Sequence, residues 1–288
     1  MPYFSVVIPT YNRADRVTKA IDSILAQAFE DWELIVVDDG STDNTKERVT
    51  QYGDDRIKYI YQENAERGAA RNRGVKEATG NYVFFLDSDD FVYPTYLIHA
   101  AEALKDLNEP EFFHIRYKEM KDNKTVTTEK LKPNEVLQKT LRQNRFACQF
   151  FLRKDIAIQF KFSENRALKI GEDWALILRI AVRYKLHFSN EALGVIVQHD
   201  DRSMQLASPD TILTSRDLIL EYLSQDEKVG DDVKGNVDAE LTSLAALSAA
   251  INKEKSQAKK LLAKAIQKRA YLRWTKRTLA IYKKLALG

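Results

Sequence analysis

Cysteine is almost absent from this chain. Cys148 stands alone among 288 residues, so no disulfide can close within it, and a lone thiol fits a reducing compartment. No apolar run approaches the ~20 residues needed to cross a bilayer. Met1-Pro2-Tyr3 leads straight into an apolar stretch with no basic region before it, so no secretory signal is expected. Phosphate-binding glycine patterns are missing as well. No Gly-x-Gly-x-x-Gly follows the first apolar run, and no Gly-x-x-x-x-Gly-Lys-Ser/Thr occurs anywhere. Both absences argue against a dehydrogenase or a P-loop enzyme. A chain of this length buries about three-quarters of its unfolded surface, so its stability requires neither disulfide nor structural metal.

The charge is unevenly spread. Residues 252–288 hold 12 Lys or Arg and one acid, Glu254, a net +11; against the overall +3, the first 251 residues must therefore sum to −8. A neutral-to-acidic body with a basic tail points to two tasks in two regions.

Along the first ninety residues, short β-rich runs alternate with helical spacing. Phe4–Ile8 reads as a strand stopped by Pro9, and Val17, Ile21, Ile24 and Leu25 recur at helical spacing. Leu34–Val37 is a second buried run, Ile57–Tyr61 a third and Tyr82–Leu86 a fourth. Helices are expected from Ser41-Thr42-Asp43 to Val49 and from Gly68 to Gly80. Strand and helix in alternation with short connections is the signature of βαβ units. The fold class is therefore α/β: a Rossmann-like, mixed and mostly parallel sheet flanked by helices. Later strands are expected at Phe112–Met120, Thr125–Thr128, Ala147–Leu152 and Val195–Val197, with helices at Tyr96–Leu107, Asn134–Leu141 and Glu172–Tyr184. From about Ser208 the pattern is helical, so a domain of 1–207 with a helical C-terminal appendage of 208–288 is expected.

Three of these strands end on polar groups. The first gives Thr10, Tyr11 and Asn12, the second Asp38 and Asp39, and the fourth Asp87-Ser88-Asp89-Asp90. Three acids in four positions repel one another without a cation, although Asp and Ser are also ordinary turn residues. Parallel strands point one way, so their ends share one rim, where open α/β sheets bind ligands.

Four motifs occur together and in order: Ser5-Val-Val-Ile-Pro-Thr-Tyr-Asn-Arg13; Val36-Val-Asp-Asp-Gly-Ser-Thr-Asp-Asn-Thr45; Asn64 with Gly68-Ala-Ala-Arg-Asn-Arg-Gly74; and Phe85-Leu-Asp-Ser-Asp-Asp90. In this the chain resembles the family 2 glycosyltransferases, whose nucleotide-sugar-binding fold is designated A. Gly171-Glu172-Asp173-Trp174 and Gln198-His199-Asp200-Asp201-Arg202-Ser203 extend the likeness to about residue 205.

The resemblance implies an inverting transferase that takes a nucleotide-diphosphate sugar, most simply a UDP-sugar, with Mg²⁺ or Mn²⁺. Thr10, Tyr11 and Asp39 would border the nucleobase, with Asp39 accepting from a ring N–H. Asn12, Arg13, Asp38 and Ser88 belong to the same nucleotide-sugar-binding motifs. Arg71 would help hold the nucleotide and Asp87 would accept from a ribose hydroxyl. Asp89 would ligate the cation, with His199 completing its site, and Ser203 lies nearby in the sequence. Asp90 has no role assigned by the resemblance. Asp173, in a Glu-Asp pair that starts a helix, would be the general base, because a sugar hydroxyl is a weak nucleophile that must lose its proton during attack. Two acids in a first helical turn also suit the helix dipole without any catalytic role.

Processive members carry Gln-x-x-Arg-Trp followed by transmembrane helices. Here Arg273-Trp274 has Ala270 in place of that Gln, so a non-processive enzyme is expected. The implied acceptor is a glycan or lipid-linked hydroxyl, in cell-surface polysaccharide synthesis. A sugar-1-phosphate nucleotidyltransferase is the first rival, but Pro9-Thr-Tyr-Asn-Arg13 lacks its Gly-rich, cationic loop. A non-catalytic nucleotide- or glycan-binding protein is the second. In the tail, cations alternate with Leu272, Trp274, Leu279, Ile281 and Tyr282. That pattern fits an anionic membrane surface or a helical cap whose cations face water. No nucleic acid is expected, and the protein is placed in the cytoplasm, with a peripheral position at the inner face of the membrane open to it.

Overall fold

The computed structural model describes residues 1–144, 146–199 and 207–287. Strands run over β1 (Phe4–Thr10), β2 (Trp32–Asp38), β3 (Ile57–Tyr61), β4 (Tyr82–Phe85), β5 (Phe91–Val92), β6 (Phe112–Lys121), β7 (Lys124–Thr127), β8 (Phe150–Arg153) and β9 (His187–Val197). Helices run over α1 (Ala14–Leu25), α2 (Thr45–Thr50), α3 (Glu66–Glu77), α4 (Tyr96–Asp106), α5 (Val136–Arg142), α6 (Lys154–Gln159) and α7 (Glu172–Ala181). They continue with α8 (Pro209–Ser224), α9 (Asp231–Ile251), α10 (Lys255–Lys268), a 3₁₀ turn at Ala270–Trp274, and α11 (Lys276–Leu287). The chain divides into two units. The first comprises Met1–Val136, Phe146–Glu164 and Tyr184–His199; the second comprises Leu137–Arg145, Asn165–Arg183 and Asp200–Gly288.

The first unit is built on one sheet of nine strands among the described residues, in the order β3-β2-β1-β4-β8-β6-β9-β5, with β7 paired to β6. Strands β1 to β4 are parallel, as the alternation of strand and helix demanded. Strands β8, β7 and β5 join antiparallel, while β9 returns parallel to β6. The even-numbered residues of β1 (Phe4, Val6 and Ile8) share a core with Val17, Ala20, Ile21 and Ile24 of α1 and with Leu97, Ala100 and Leu104 of α4. The odd-numbered Val7 meets α3 on the opposite face. There the helix lies so close that a Cβ on Gly74 would stand 2.3 Å from Val7 Cγ1, which is why this position has no side chain.

Strands β1, β2 and β9 all run longer than their sequence suggests. β1 continues through Pro9 to Thr10. Tyr82 N–H donates to Tyr3 O and Leu86 N–H to Val7 O, so odd-numbered residues of β1 turn their backbone toward β4. β4 has already ended at Phe85, and the N–H that Pro9 lacks would have pointed past it. β9 begins at His187 rather than Val195 because backbone pairing with Phe113–Ile115, and not apolar patterning, carries its polar first half. A register shift then separates that half from Gly194–Val197, and the Asn190 side chain braces the irregularity by bonding both N–H and C=O of Leu131. The Asp122-Asn123 hairpin turn forms as expected, with both residues at positive φ.

The second unit is helical. Trp174, Ala175 and Leu178 of α7 share one core with Ile212, Ile219 and Leu223 of α8, Val237, Ala245, Ala246 and Ala249 of α9, Leu261 and Leu262 of α10, and Ile281 of α11. Small residues along α9 let its neighbours approach closely. Asp226, after α8, binds Arg179 of α7 and Arg183 just beyond that helix. Burial alone would raise its pKa, yet these guanidinium bonds hold it at about 2.

At the starts of the first unit's parallel strands, the edge opposite the rim, Glu33 accepts from Ser5 Oγ, Thr79 N and Oγ1, and Lys58 Nζ. Burial by itself would raise its pKa, but these donors reverse the effect and hold the carboxyl at about 2 against an ordinary 4.5. The folded state therefore favours the carboxylate. Its contribution is fully present above about pH 4.5 and is lost as pH falls toward 2. Glu33→Gln should cost about 2–3 kcal/mol at neutral pH and flatten the acid side of the stability curve. Denaturant titrations of both proteins between neutral pH and pH 2 check this; parallel acid limbs would refute it.

Candidate functional site

The ends of β1, β2 and β4 assemble the polar rim of the first unit. Asn12 sits at positive φ and stitches two loops together: its N–H donates to Ser41 Oγ, and its Oδ1 accepts from Thr42 N and Oγ1. Asp38 is buried and spends both carboxylate oxygens on protein, Oδ1 on the Ser41 N–H and Oδ2 on the Tyr59 hydroxyl. Burial and this bond push the Tyr59 phenol well above its ordinary pKa. Asp39, also buried, takes its hydrogen bonds on Oδ1, from Gln62 Nε2 and Ala65 N–H. Its N–H donates to Thr10 O, and its C=O accepts from Asn64 Nδ2. The hydroxyl of Thr10 is buried without a hydrogen-bond partner among the described residues. Tyr11 beside it is 47% exposed.

The acidic cluster follows β4. Asp87, Asp89 and Asp90 each present a carboxylate oxygen within 4.8 Å of the others. Charges that close are tolerated because each has its own partner. Arg71, fully buried in α3, donates from Nη2 to Asp87 Oδ1 at 2.7 Å and lies over the Phe162 ring. Arg13 ion-pairs with Asp89, and His199 Nε2 stands 2.7 Å from the same Asp89 oxygen. The Arg16 guanidinium lies 3.3 Å from His199 Nδ1. Asp90 accepts from the Val197 N–H at the end of β9, and its own N–H closes a turn onto Asp87 O. It thus ties β9 to the end of β4 and delivers His199, two residues on, to Asp89. Ser88 is buried between them. Three hard oxygen donors in one place fit Mg²⁺ or Mn²⁺, which prefer carboxylates and keep part of their coordination for phosphate and water.

Thus Thr10, Tyr11, Asn12, Arg13, Asp38, Asp39, Arg71, Asp87, Ser88, Asp89 and His199 all belong to the first unit. Asp173 belongs to the second. Gly171, at φ +80 where a side chain is strained, caps α7. Asp173 enters the first turn, its Oδ1 accepting from Trp174 N–H and its Oδ2 from Asn144 Nδ2. The expected Asp200-Asp201-Arg202-Ser203 run lies outside the described residues. Tyr59, Gln62, Arg16 and Phe162 were absent from the sequence expectations. They carry no motif of their own and become legible only through the residues they hold.

The family model for glycosyl transferase family 2 matches residues 5–162. The chain belongs to that family. An uncharacterized glycosyltransferase of Rickettsia felis is 38% identical over 138 residues, which is 47% of this chain and 23% of that protein. The chain covers 22–42% of the length of this and three further rickettsial relatives. Among solved structures, Staphylococcus aureus TarS 1–349 in complex with UDP-GlcNAc matches with TM-score 0.68 and 21% identity, covering 99% of this chain and 89% of that one. The mannosyltransferase PcManGT of Pyrobaculum calidifontis, in complex with GDP-Man and Mn²⁺, matches with TM-score 0.61 and 18% identity, covering 99% and 87%. These likenesses show the fold, which is the GT-A fold of this family.

Breaking the Arg71–Asp87 pair leaves one buried or half-buried charge uncompensated. Arg71→Met is expected to destabilise the family 2 chain by about 3 kcal/mol, while Arg73→Met, on the exposed side of the same helix with a pair to Glu77, should cost under about 0.5 kcal/mol. Urea unfolding distinguishes the two; equal losses would mean that the buried pair has no special weight.

Proposed function

We propose that this chain is an inverting, non-processive glycosyltransferase that moves a sugar from a nucleotide-diphosphate sugar, most simply a UDP-sugar, to a hydroxyl of a glycan or lipid-linked acceptor. One observation carries the reading: the Asp87/Asp89/Asp90 cluster stands on the same rim of the sheet as Thr10 and the carboxylate of Asp39. Relatives with this fold have been solved with UDP-GlcNAc and with GDP-Man and Mn²⁺, which supports the donor class.

In this reading Thr10, Tyr11 and Asp39 border the nucleobase, and Asp39 accepts from a ring N–H. Asp38 acts through the loop it holds rather than by touching the ligand. Asp87, oriented by Arg71, accepts from a ribose hydroxyl. Asp89 and His199 hold Mg²⁺ or Mn²⁺, and Asn12, Arg13 and Ser88 shape the wall around the diphosphate. The cation, when bound, neutralises charge growing on the departing nucleotide diphosphate. Asp173 takes the proton of the attacking hydroxyl, and the glycosidic bond forms as the bond to the diphosphate breaks, with inversion at the anomeric carbon. The cellular role is cell-surface polysaccharide synthesis in the cytoplasm, at the inner face of the membrane where the acceptor is lipid-linked. Among the described residues no helix is long and apolar enough to cross a membrane.

Asp89→Ala should abolish metal-dependent nucleotide binding in calorimetry, and Asp173→Asn should retain binding yet lose transfer by about 10²-fold or more. Full turnover by Asp173→Asn would remove it as the base. Nucleotide-sugar binding by Asp89→Ala that still depends on Mn²⁺ would remove Asp89 from the cation site.

A further inference from the structure

Seven of the twelve cations of residues 252–288, those from Lys268 onward, separate into two groups in the second unit. Lys268, Arg269 and Arg277 fold back on α9, pairing with Asp238, Asp232 and Glu240; they are the cap that clamps α10 and α11 in place. Arg273, Lys276, Lys283 and Lys284 do something else. They are exposed and make no ion pair among the described residues.

These outward cations border apolar surface. Helix α11 buries Thr278 and Ile281 and half-buries Leu285, the face expected of a packed amphipathic helix. It carries a second apolar stripe at Leu279, Tyr282 and Ala286, spaced i, i+3, i+7 and therefore aligned on one side of the helix. That stripe faces water: Leu279 is 70% exposed and Tyr282 53%. Trp274, in the preceding 3₁₀ turn, is 86% exposed. Lys276 and Lys283 stand three residues before and four after Leu279, along the same flank.

We infer that the outer face of Ala270–Trp274 and α11 is a docking surface for an anionic lipid bilayer. The apolar stripe enters the headgroup boundary, the indole and phenol rings lie at the level where amphipathic aromatics are favoured, and the lysines reach anionic phosphates on long apolar stems. Leu279 and Ala286 have nothing to offer a phosphodiester chain, which sets a lipid above a nucleic acid as the polyanion. The inference deepens the placement of the enzyme at the inner face of the membrane and rests on that reading for the source of the anion. The surface itself is independent of the transfer chemistry.

Tryptophan supplies an internal reporter. Trp32 and Trp174 are each 3% exposed, so emission that responds to an added surface comes from Trp274. The full chain is mixed with vesicles of phosphatidylcholine alone or with phosphatidylglycerol, at low and high salt. Sedimentation is followed together with emission, and hydrolysis of a nucleotide sugar is assayed in vesicle-free buffer. The inference expects salt-sensitive binding to the phosphatidylglycerol vesicles with a blue shift. It also expects at least a tenfold fall in partitioning for Lys276→Glu/Lys283→Glu, and separately for Leu279→Ser/Tyr282→Ser, with hydrolysis in buffer unchanged. The absence of binding to anionic vesicles, or binding that both variants retain, overturns it. So does tight binding of an oligonucleotide, or self-association without vesicles, that these same substitutions abolish. Failure of hydrolysis by the unaltered chain would instead strike the transferase reading and leave the docking surface standing.

Discussion

Three carboxylates within 4.8 Å of one another at the end of a strand are the constraint on which the rest of the first unit depends. Each needs a donor or a cation, and each is served from a different part of the chain. Arg71 comes from α3, Arg13 from the loop after β1, and the Val197 N–H and His199 from the end of β9. Helix α3 can bring its arginine under the rim only because Gly74 lets the helix lie against Val7. β9 can deliver His199 only because its irregular first half is braced and its end is tethered to Asp90. Tolerating the acidic cluster and building the sheet are therefore one problem, and the arrangement that solves it groups three carboxylates that could hold a metal ion.

A second consequence is that neighbouring acids differ in the partners they hold within the protein. Of the acids at the end of β2, Asp38 is consumed by Ser41 and Tyr59, while Asp39 keeps its hydrogen bonds on one oxygen. β2 ends at Asp38 and Asp39 begins the loop that follows, so two identical side chains in sequence meet different partners. In the turn after β4, Asp87 likewise pairs with Arg71 while Asp90 tethers β9.

The second unit shows how the basic tail divides its charge. Cations that meet the acids of α9 give the cap its cohesion, and cations on α11 that meet none border exposed apolar surface. Net charge by itself did not distinguish them, because pairing depends on which turn of the helix faces α9.

By itself the sequence determined the parallel half of the sheet, since apolar runs bounded by turn residues and separated by helical spacing admit little else. It also determined which residues converge on the rim, because parallel strands must end on the same side; Thr10, Asp39, Asp87 and Asp89 were legible for that reason. Only the tertiary structure decided what those residues touch. Arg71 stands behind Asp87, and Tyr59, Gln62, Arg16 and Phe162 complete the site from strands and helices whose local patterns say nothing of it. It alone decided that β1 continues through Pro9, where the neighbouring strand has ended, and that β9 forms from polar residues. In both cases backbone pairing between segments remote in sequence outweighed local preference. It also drew α7, with Asp173, into one core with helices that begin beyond residue 207, because the apolar face of Trp174 and Leu178 finds its complement there.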